Sequence, residues 1–220
     1  EISLGLVGSE MCIRDRLRSF SELFATLKRN CKEIEMKLYI FRHGQTDGNV
    51  RNIVQGAGVD IELNETGRRQ AERLAAELKG EGLDVIYASP MKRADETARI
   101  VAAAAGVPVI PMPGLEEVHF GEAEGMLSDE AKDKYKDVFS IIHDTSDPNW
   151  MDVRVPGGES VRDSLTRGQK VLERIAAEGR AHGWHKIGVA THGALMFNLY
   201  QAMFGEEHKF ENCECFIIEI

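Results

Sequence analysis

The chain has 220 residues, 43% of them hydrophobic and 29% charged, and a formal net charge of −9 at pH 7. That is enough chain for one domain with a sizeable core, and the composition is that of an ordinary globular protein. The negative balance argues against nucleic acid as a partner, because duplex binding rests mainly on Lys and Arg neutralising phosphates. A small phosphorylated ligand stays open, since remote surface charges are screened over roughly 8 Å at physiological salt and a local arginine cluster can dominate its pocket. No run approaches the roughly 18 apolar residues of a membrane span, so no membrane role is expected. No GxxxxGK[ST] phosphate loop occurs either. Cys12, Cys31, Cys213 and Cys215 show no metal-ligand spacing. The last two lie two apart in an expected strand and are badly placed to pair with each other; a reduced, cytoplasmic setting is the simplest reading.

Residues 1–35 carry six acids and six bases, with a short apolar run, Ile2–Val7, interrupted by Gly5. The opening lacks the basic flank of a signal peptide. Glu1–Arg16 resembles translated adapter sequence, while Leu17, Phe20, Phe24 and Leu27 fit one face of a helix. The expectation is an N-terminal extension over 1–35 and a single domain over 36–220.

From Met36 onward strand and helix patterns alternate. Leu38–Phe41 is an apolar run that reads as a buried strand, and Arg51–Leu63 as a loop holding Gln55-Gly56. Asn64 is an N-cap for a helix whose Ala71, Leu74, Ala75 and Leu78 repeat at i, i+3, i+4, i+7, with Gly80 after it. Val85–Ala88 is a second strand. Ser89-Pro90 reads as the cap and first residue of a helix with Ala94, Thr97, Ala98 and Val101 on its inner face. Val107–Ile110 is a third strand, and Ser128–Ile142 a short helix. A long helix is expected over Glu159–Ala177, a strand over Ile187–Ala190, a helix over Ala194–Phe204 and a last strand over Phe216–Ile220. This alternation predicts an α/β fold, a three-layer α/β/α sandwich around a mostly parallel sheet.

Four element ends carry chemistry. Arg42-His43-Gly44 leaves the first strand; Ser89-Pro90-Met91-Lys92-Arg93 opens a helix; Glu116-Glu117 sits in an otherwise apolar segment before Phe120-Gly121; and Thr191-His192-Gly193 leaves a later strand. Ligands in open α/β sheets bind beyond the carboxyl ends of the strands. Two arginines, two histidines and an acid gathered there suit phosphoryl transfer. Neutral imidazole can attack phosphorus, guanidinium forks match phosphate oxygens, and a carboxylic acid can protonate the leaving oxygen. With guanidinium groups neutralising the phosphate charge, neither a metal nor a cofactor is required. His119, His143, His182, His185 and His208 read as surface or loop residues, Trp184 as packed near the long helix, and Trp150 as lining a lid.

These stretches resemble the histidine phosphatase superfamily, the phosphoglycerate mutase-like family, whose signature is a strand followed by Arg-His-Gly. The resemblance runs from Met36 to the C-terminus and includes Gly67 with Gln70-Ala71, Ser89-Pro90 with Arg93-Ala94 and Thr97-Ala98, Phe120-Gly121 with Glu124-Gly125, Gly157-Gly158-Glu159-Ser160, His192-Gly193 and Asn212-Cys213. It implies that His43 is the phosphorylated nucleophile, that Arg42, Arg93 and His192 bind the transferring group, and that Glu117, three residues before Phe120-Gly121, is the general acid. Asn49, Gln55, Gly56 and Gly193 are implied as substrate-binding positions. Gln45 and Asn64 depart from the family pattern, which more often has Glu and Thr there. The implied activity is that of a histidine acid-type phosphatase: metal-independent hydrolysis of a small phosphorylated metabolite through phosphohistidine. A phosphoglycerate mutase is the alternative, and a non-catalytic phospho-ligand binder a further one. A homodimer stays open.

Overall fold

The computed structural model describes residues 35–220; the readings made for residues before 35, Cys12 and Cys31 among them, lie outside the described residues. A five-stranded sheet forms the middle layer, built from β1 (Lys37–Arg42), β2 (Val85–Ala88), β3 (Val109–Pro111), β4 (Lys186–Thr191) and β5 (Cys215–Glu219). Its spatial order is β3-β2-β4-β1-β5. The first four strands run parallel, and β5 pairs antiparallel with the outer edge of β1. The alternation of side chains along each strand divides the core into two. Leu38, Ile40, Tyr87, Ile187 and Val189 face a cluster completed by Leu165, Leu172 and Ile175 of α6 (Val161–His182) and Leu195 and Leu199 of α7 (Gly193–Phe204). Tyr39, Phe41, Ile86 and Ala190 face the opposite cluster, which holds Leu74, Ala75 and Leu78 of α2 (Glu65–Leu78) and Ala98 and Val101 of α3 (Lys92–Ala105). The result is the expected three-layer sandwich.

Boundaries differ from the sequence reading in places with a physical cause. Asn64 caps α2 as expected, its side chain accepting from Gly67 N at 2.8 Å. α3 begins at Lys92, not Pro90, because the Ser89 hydroxyl is engaged elsewhere and Met91 takes the N-cap position. The helix expected over 128–142 is two, α4 (Ser128–Lys134) and α5 (Lys136–Ile142), broken at Tyr135, where φ is −113° and ψ is 34°. α6 continues to His182 and ends where Gly183 adopts a left-handed φ of 69°. Its start is fixed by a reciprocal cap in which Ser160 Oγ accepts from Asp163 N and the Asp163 carboxylate accepts from Ser160 N. Cys213 precedes β5 instead of lying in it, at a φ of 62°. Both it and Cys215 pack against the second cluster, and burial pushes each thiol up to about 12. Trp150 is buried in the first cluster, while Trp184 packs against that cluster and stacks on His182 at the end of α6.

Leu172→Ala, which deletes a side chain 2% exposed in the first cluster, is expected to cost about 2–5 kcal/mol. Ser160→Ala, which removes the α6 cap, is expected to cost about 0.5–2 kcal/mol. Urea unfolding of the two variants beside the parent checks both the sizes and their order.

Candidate active site

Strand register assembles the site. Arg42 pairs with Thr191 across β1 and β4, and Ala88 of β2 pairs with Ala190 of β4. β1 and β4 therefore end level and the adjacent parallel β2 one residue short of them, and the next residue of each, His43, His192 and Ser89, emerges at the same rim. The His43 and His192 ring centroids are 5.2 Å apart.

His43 is 2% exposed, and its Nδ1 lies 2.7 Å from the carbonyl oxygen of Gly44. A carbonyl can accept a hydrogen bond and cannot donate one, so Nδ1 carries the proton. Nε2 is left with a lone pair. Burial holds the imidazole well below its ordinary value, helped by the Arg93 and Arg42 charges, so the ring is neutral at pH 7. The backbone beyond it is pinned: Asn212 Nδ2 and Cys213 N both donate to the His43 carbonyl, at 3.0 and 3.3 Å. His192 is likewise buried and held low, chiefly by desolvation. Its Nε2 sits 2.8 Å from Ser89 Oγ, which also accepts from Met91 N. A hydroxyl can donate to Nε2 or accept from it; when it donates, the ring proton is on Nδ1.

Arg93 is buried along its length, and Arg42 is half-buried with its Nε enclosed. Arg93, in the first turn of α3, is 1% exposed and donates from Nη1 to Val59 O and from Nη2 to Gly56 O, each at 2.9 Å. Arg42 donates from Nη1 to Phe210 O at 2.8 Å. Among the described residues, the buried side-chain nitrogens without a partner are Arg42 Nε, Arg93 Nε and His192 Nδ1. Buried donors are nearly always satisfied. Three unsatisfied ones on three neighbouring residues, two of them cationic, are the chemistry of an oxyanion cradle.

Glu117, 9% exposed, faces this cluster from the loop after β3 and is among the charges acting on Arg42 and Arg93. Its carboxyl group is docked on the first turn of α7: Oε1 accepts from Val118 N and Leu195 N, and Oε2 from Ala194 N. Glu116, its neighbour, turns its carboxylate back to Gly114 N at 2.6 Å. The remaining expected positions lie around the rim. Asn49 Oδ1 accepts from Thr46 N in a reciprocal cap of the short helix α1 (Asp47–Val50), an arrangement that fixes the amide plane. Gln55 is buried and accepts from Thr46 Oγ1. Gly56 has a φ of 56° and supplies the carbonyl that holds Arg93; a Cβ there would run into the Glu124 carboxylate. Gly193 opens α7, where a Cβ would lie 3.1 Å from Arg42 Nε. Gln45 and Asn64, the two departures from the family pattern, touch each other through Asn64 Nδ2 and Gln45 Oε1 at 3.1 Å.

Two residues of this neighbourhood carry no role in the sequence reading: Ser89, taken there as a helix cap, and Arg167, whose signal is a lone arginine on a helix. The five other histidines are exposed. Among the described residues no group of three or more His, Cys, Asp or Glu side chains is placed to hold a metal ion, and no helix is long and apolar enough to cross a membrane.

Fold and site together define an α/β protein that gathers neutral imidazoles, one buried and one half-buried guanidinium group and a carboxyl group beyond neighbouring strand ends. Residues 38–219 match the histidine phosphatase superfamily (branch 1), and the chain belongs to that superfamily. Phosphoglycerate mutase-like protein 4 of Arabidopsis thaliana is 35% identical over 178 residues, which cover 80% of this chain and 74% of that protein. Phosphoserine phosphatase 1 of Hydrogenobacter thermophilus is 33% identical over 186 residues, covering 82% of each. Among solved structures, a mycobacterial glucosyl-3-phosphoglycerate phosphatase in complex with VO3 superposes with a TM-score of 0.71 at 27% identity, over 83% of this chain and 90% of that one.

The buried histidines set a pH dependence. Folding lowers the proton affinity of His43 and His192, so below about pH 6.5 the unfolded chain binds more protons than the folded one and stability falls with falling pH. Melting temperature is expected to drop between pH 7 and pH 5, and His43→Asn to make that drop shallower. A second expectation concerns the cradle. Inorganic phosphate should raise the melting temperature in proportion to the logarithm of its concentration once saturating, and Arg42→Ala should remove most of the rise.

Proposed function

We propose that the protein is a metal-independent phosphomonoesterase that acts on a small phosphorylated metabolite through a phosphohistidine intermediate. The observation that carries this reading is the trio of unpaired buried donors, Arg42 Nε, Arg93 Nε and His192 Nδ1, beside a histidine whose lone pair is on Nε2. Membership of the superfamily supports it, as do relatives named as phosphatases.

In the first step His43 Nε2 attacks phosphorus. An N–P bond forms, the P–O bond to the leaving alcohol breaks, and the alcohol oxygen takes a proton from Glu117. Oε1 already accepts two N–H bonds and Oε2 one, so the transferable proton belongs on Oε2, which retains a free lone pair. In the second step water attacks the phosphohistidine: a P–O bond forms, the N–P bond breaks to return neutral His43, and the water gives a proton to Glu117. The guanidinium groups of Arg42 and Arg93 and the His192 N–H hold the equatorial oxygens, where charge builds as the phosphoryl group passes between N and O. A proton transfer of this kind is worth about 10²–10⁴ in rate.

The test is hydrolysis of a panel of phosphomonoesters in EDTA, with His43→Ala as control, together with trapping of labelled enzyme. Expected are phosphate release unaffected by EDTA, loss of at least a thousandfold in His43→Ala, and an acid-labile, base-stable phosphoryl label on the parent. Isomerisation of 3-phosphoglycerate with a bisphosphate primer, without net hydrolysis, would instead make it a mutase, and full activity in His43→Ala would overturn the mechanism.

A further inference from the structure

Glu117 is carried by a segment that belongs to no strand or helix. Between Met112 and Phe120 the backbone lies outside the sheet, so its carbonyls need partners from elsewhere. Three of them find the same one. Arg167, in the second turn of α6, donates from Nη1 to Gly114 O at 2.8 Å and to Glu116 O at 2.9 Å, and from Nη2 to Glu117 O at 3.3 Å. Its remaining donors form a bidentate pair with Glu159: Nε to Oε1 at 2.9 Å and Nη2 to Oε2 at 2.8 Å. All five N–H groups of the guanidinium are thereby used.

Glu159 is tied to the same segment from the other side. Its Oε2 accepts from His119 N at 3.1 Å, and its own N–H donates to His119 O at 2.7 Å. Burial works to raise the Glu159 carboxyl, but the Arg167 hydrogen bond, the His119 N–H and the Arg167 charge outweigh it and hold the group below its ordinary value. The pair is ionised at neutral pH. Glu159 also adjoins Ser160, the cap of α6, so the bracket is anchored to the longest helix of the fold and grips the loop on both flanks of Glu117.

We propose that the Glu159–Arg167 pair is a positioning device for Glu117, holding the proton-donating carboxyl group at the distance from the leaving oxygen that the first step requires. This rests on the phosphatase reading above and adds two positioning residues to it. A bidentate fork is needed because a lysine at 167 offers a point charge and cannot serve three carbonyls and two carboxylate oxygens at once.

Leaving groups separate positioning from general support. Dinitrophenolate departs without a proton, whereas an alkoxide needs one. Single-turnover phosphorylation of the full chain is measured with 2,4-dinitrophenyl phosphate and with the alkyl phosphate that the parent turns over fastest. For Arg167→Lys and Glu159→Gln, the rate with the alkyl phosphate is expected to fall ten- to a hundredfold. The dinitrophenolate burst should fall less than threefold, and KM for both substrates should change little. Glu159→Gln keeps the side-chain shape and serves if Arg167→Lys folds poorly. Equal losses on both substrates, or none on the alkyl phosphate, would overturn the positioning role while leaving the phosphatase reading intact. A parent chain that forms no phosphoenzyme from either substrate would overturn both.

Discussion

Two guanidinium groups, Arg93 buried and Arg42 half-buried, lie beside two buried imidazoles, and their hydrogen bonds go to the carbonyls of Phe210, Gly56 and Val59. Burying charge without a matched counter-charge costs several kcal/mol per ion, and much of the surrounding architecture answers to that cost. The loop through Gly56 and Val59 gives up backbone acceptors to Arg93 instead of pairing them internally. The turn before β5 does the same for Arg42. The field of the two cations, added to desolvation, is also what keeps His43 and His192 uncharged. Two cations beside neutral imidazoles leave Arg42 Nε, Arg93 Nε and His192 Nδ1 buried without a partner among the described residues.

The sheet makes this arrangement possible by ending three adjacent parallel strands within one residue of each other. A slip of one residue between β1 and β4 would move Arg42 to the opposite face of the sheet and separate the two histidines. The alternation in β1 excludes that slip, because Leu38 and Ile40 must face α6 and α7 while Tyr39 and Phe41 face α2 and α3. The geometry of the candidate site is thus specified by hydrophobic packing several residues away from it.

Much of this was legible in the amino-acid order. The strand–helix alternation, the inner faces of α2 and α3, and the placing of Arg42, His43, Arg93, Glu117 and His192 at element ends all follow from local pattern. What was not legible involves side chains with two competing uses. Ser89 has the residue type and the following proline of a helix cap, yet its hydroxyl serves His192, and α3 starts two residues later. Tyr135 sits in a helical pattern that it interrupts. Arg167 looks like a solvated charge on a helix, because the carbonyls it satisfies are 50 or more positions away in sequence and a backbone acceptor leaves no trace in residue type.

The antiparallel β5 has a consequence for the two ends of the described fold. Met36 and Ile220 exchange both backbone hydrogen bonds, N to O at 3.0 Å and O to N at 2.8 Å. The chain therefore enters and leaves the described fold at one point. Because β1 runs away from that point toward His43, about 20 Å along a six-residue strand, the shared point lies at the end of the sheet remote from the reaction. The pairing of Met36 with Ile220 is thus separated from the candidate site by the length of the sheet.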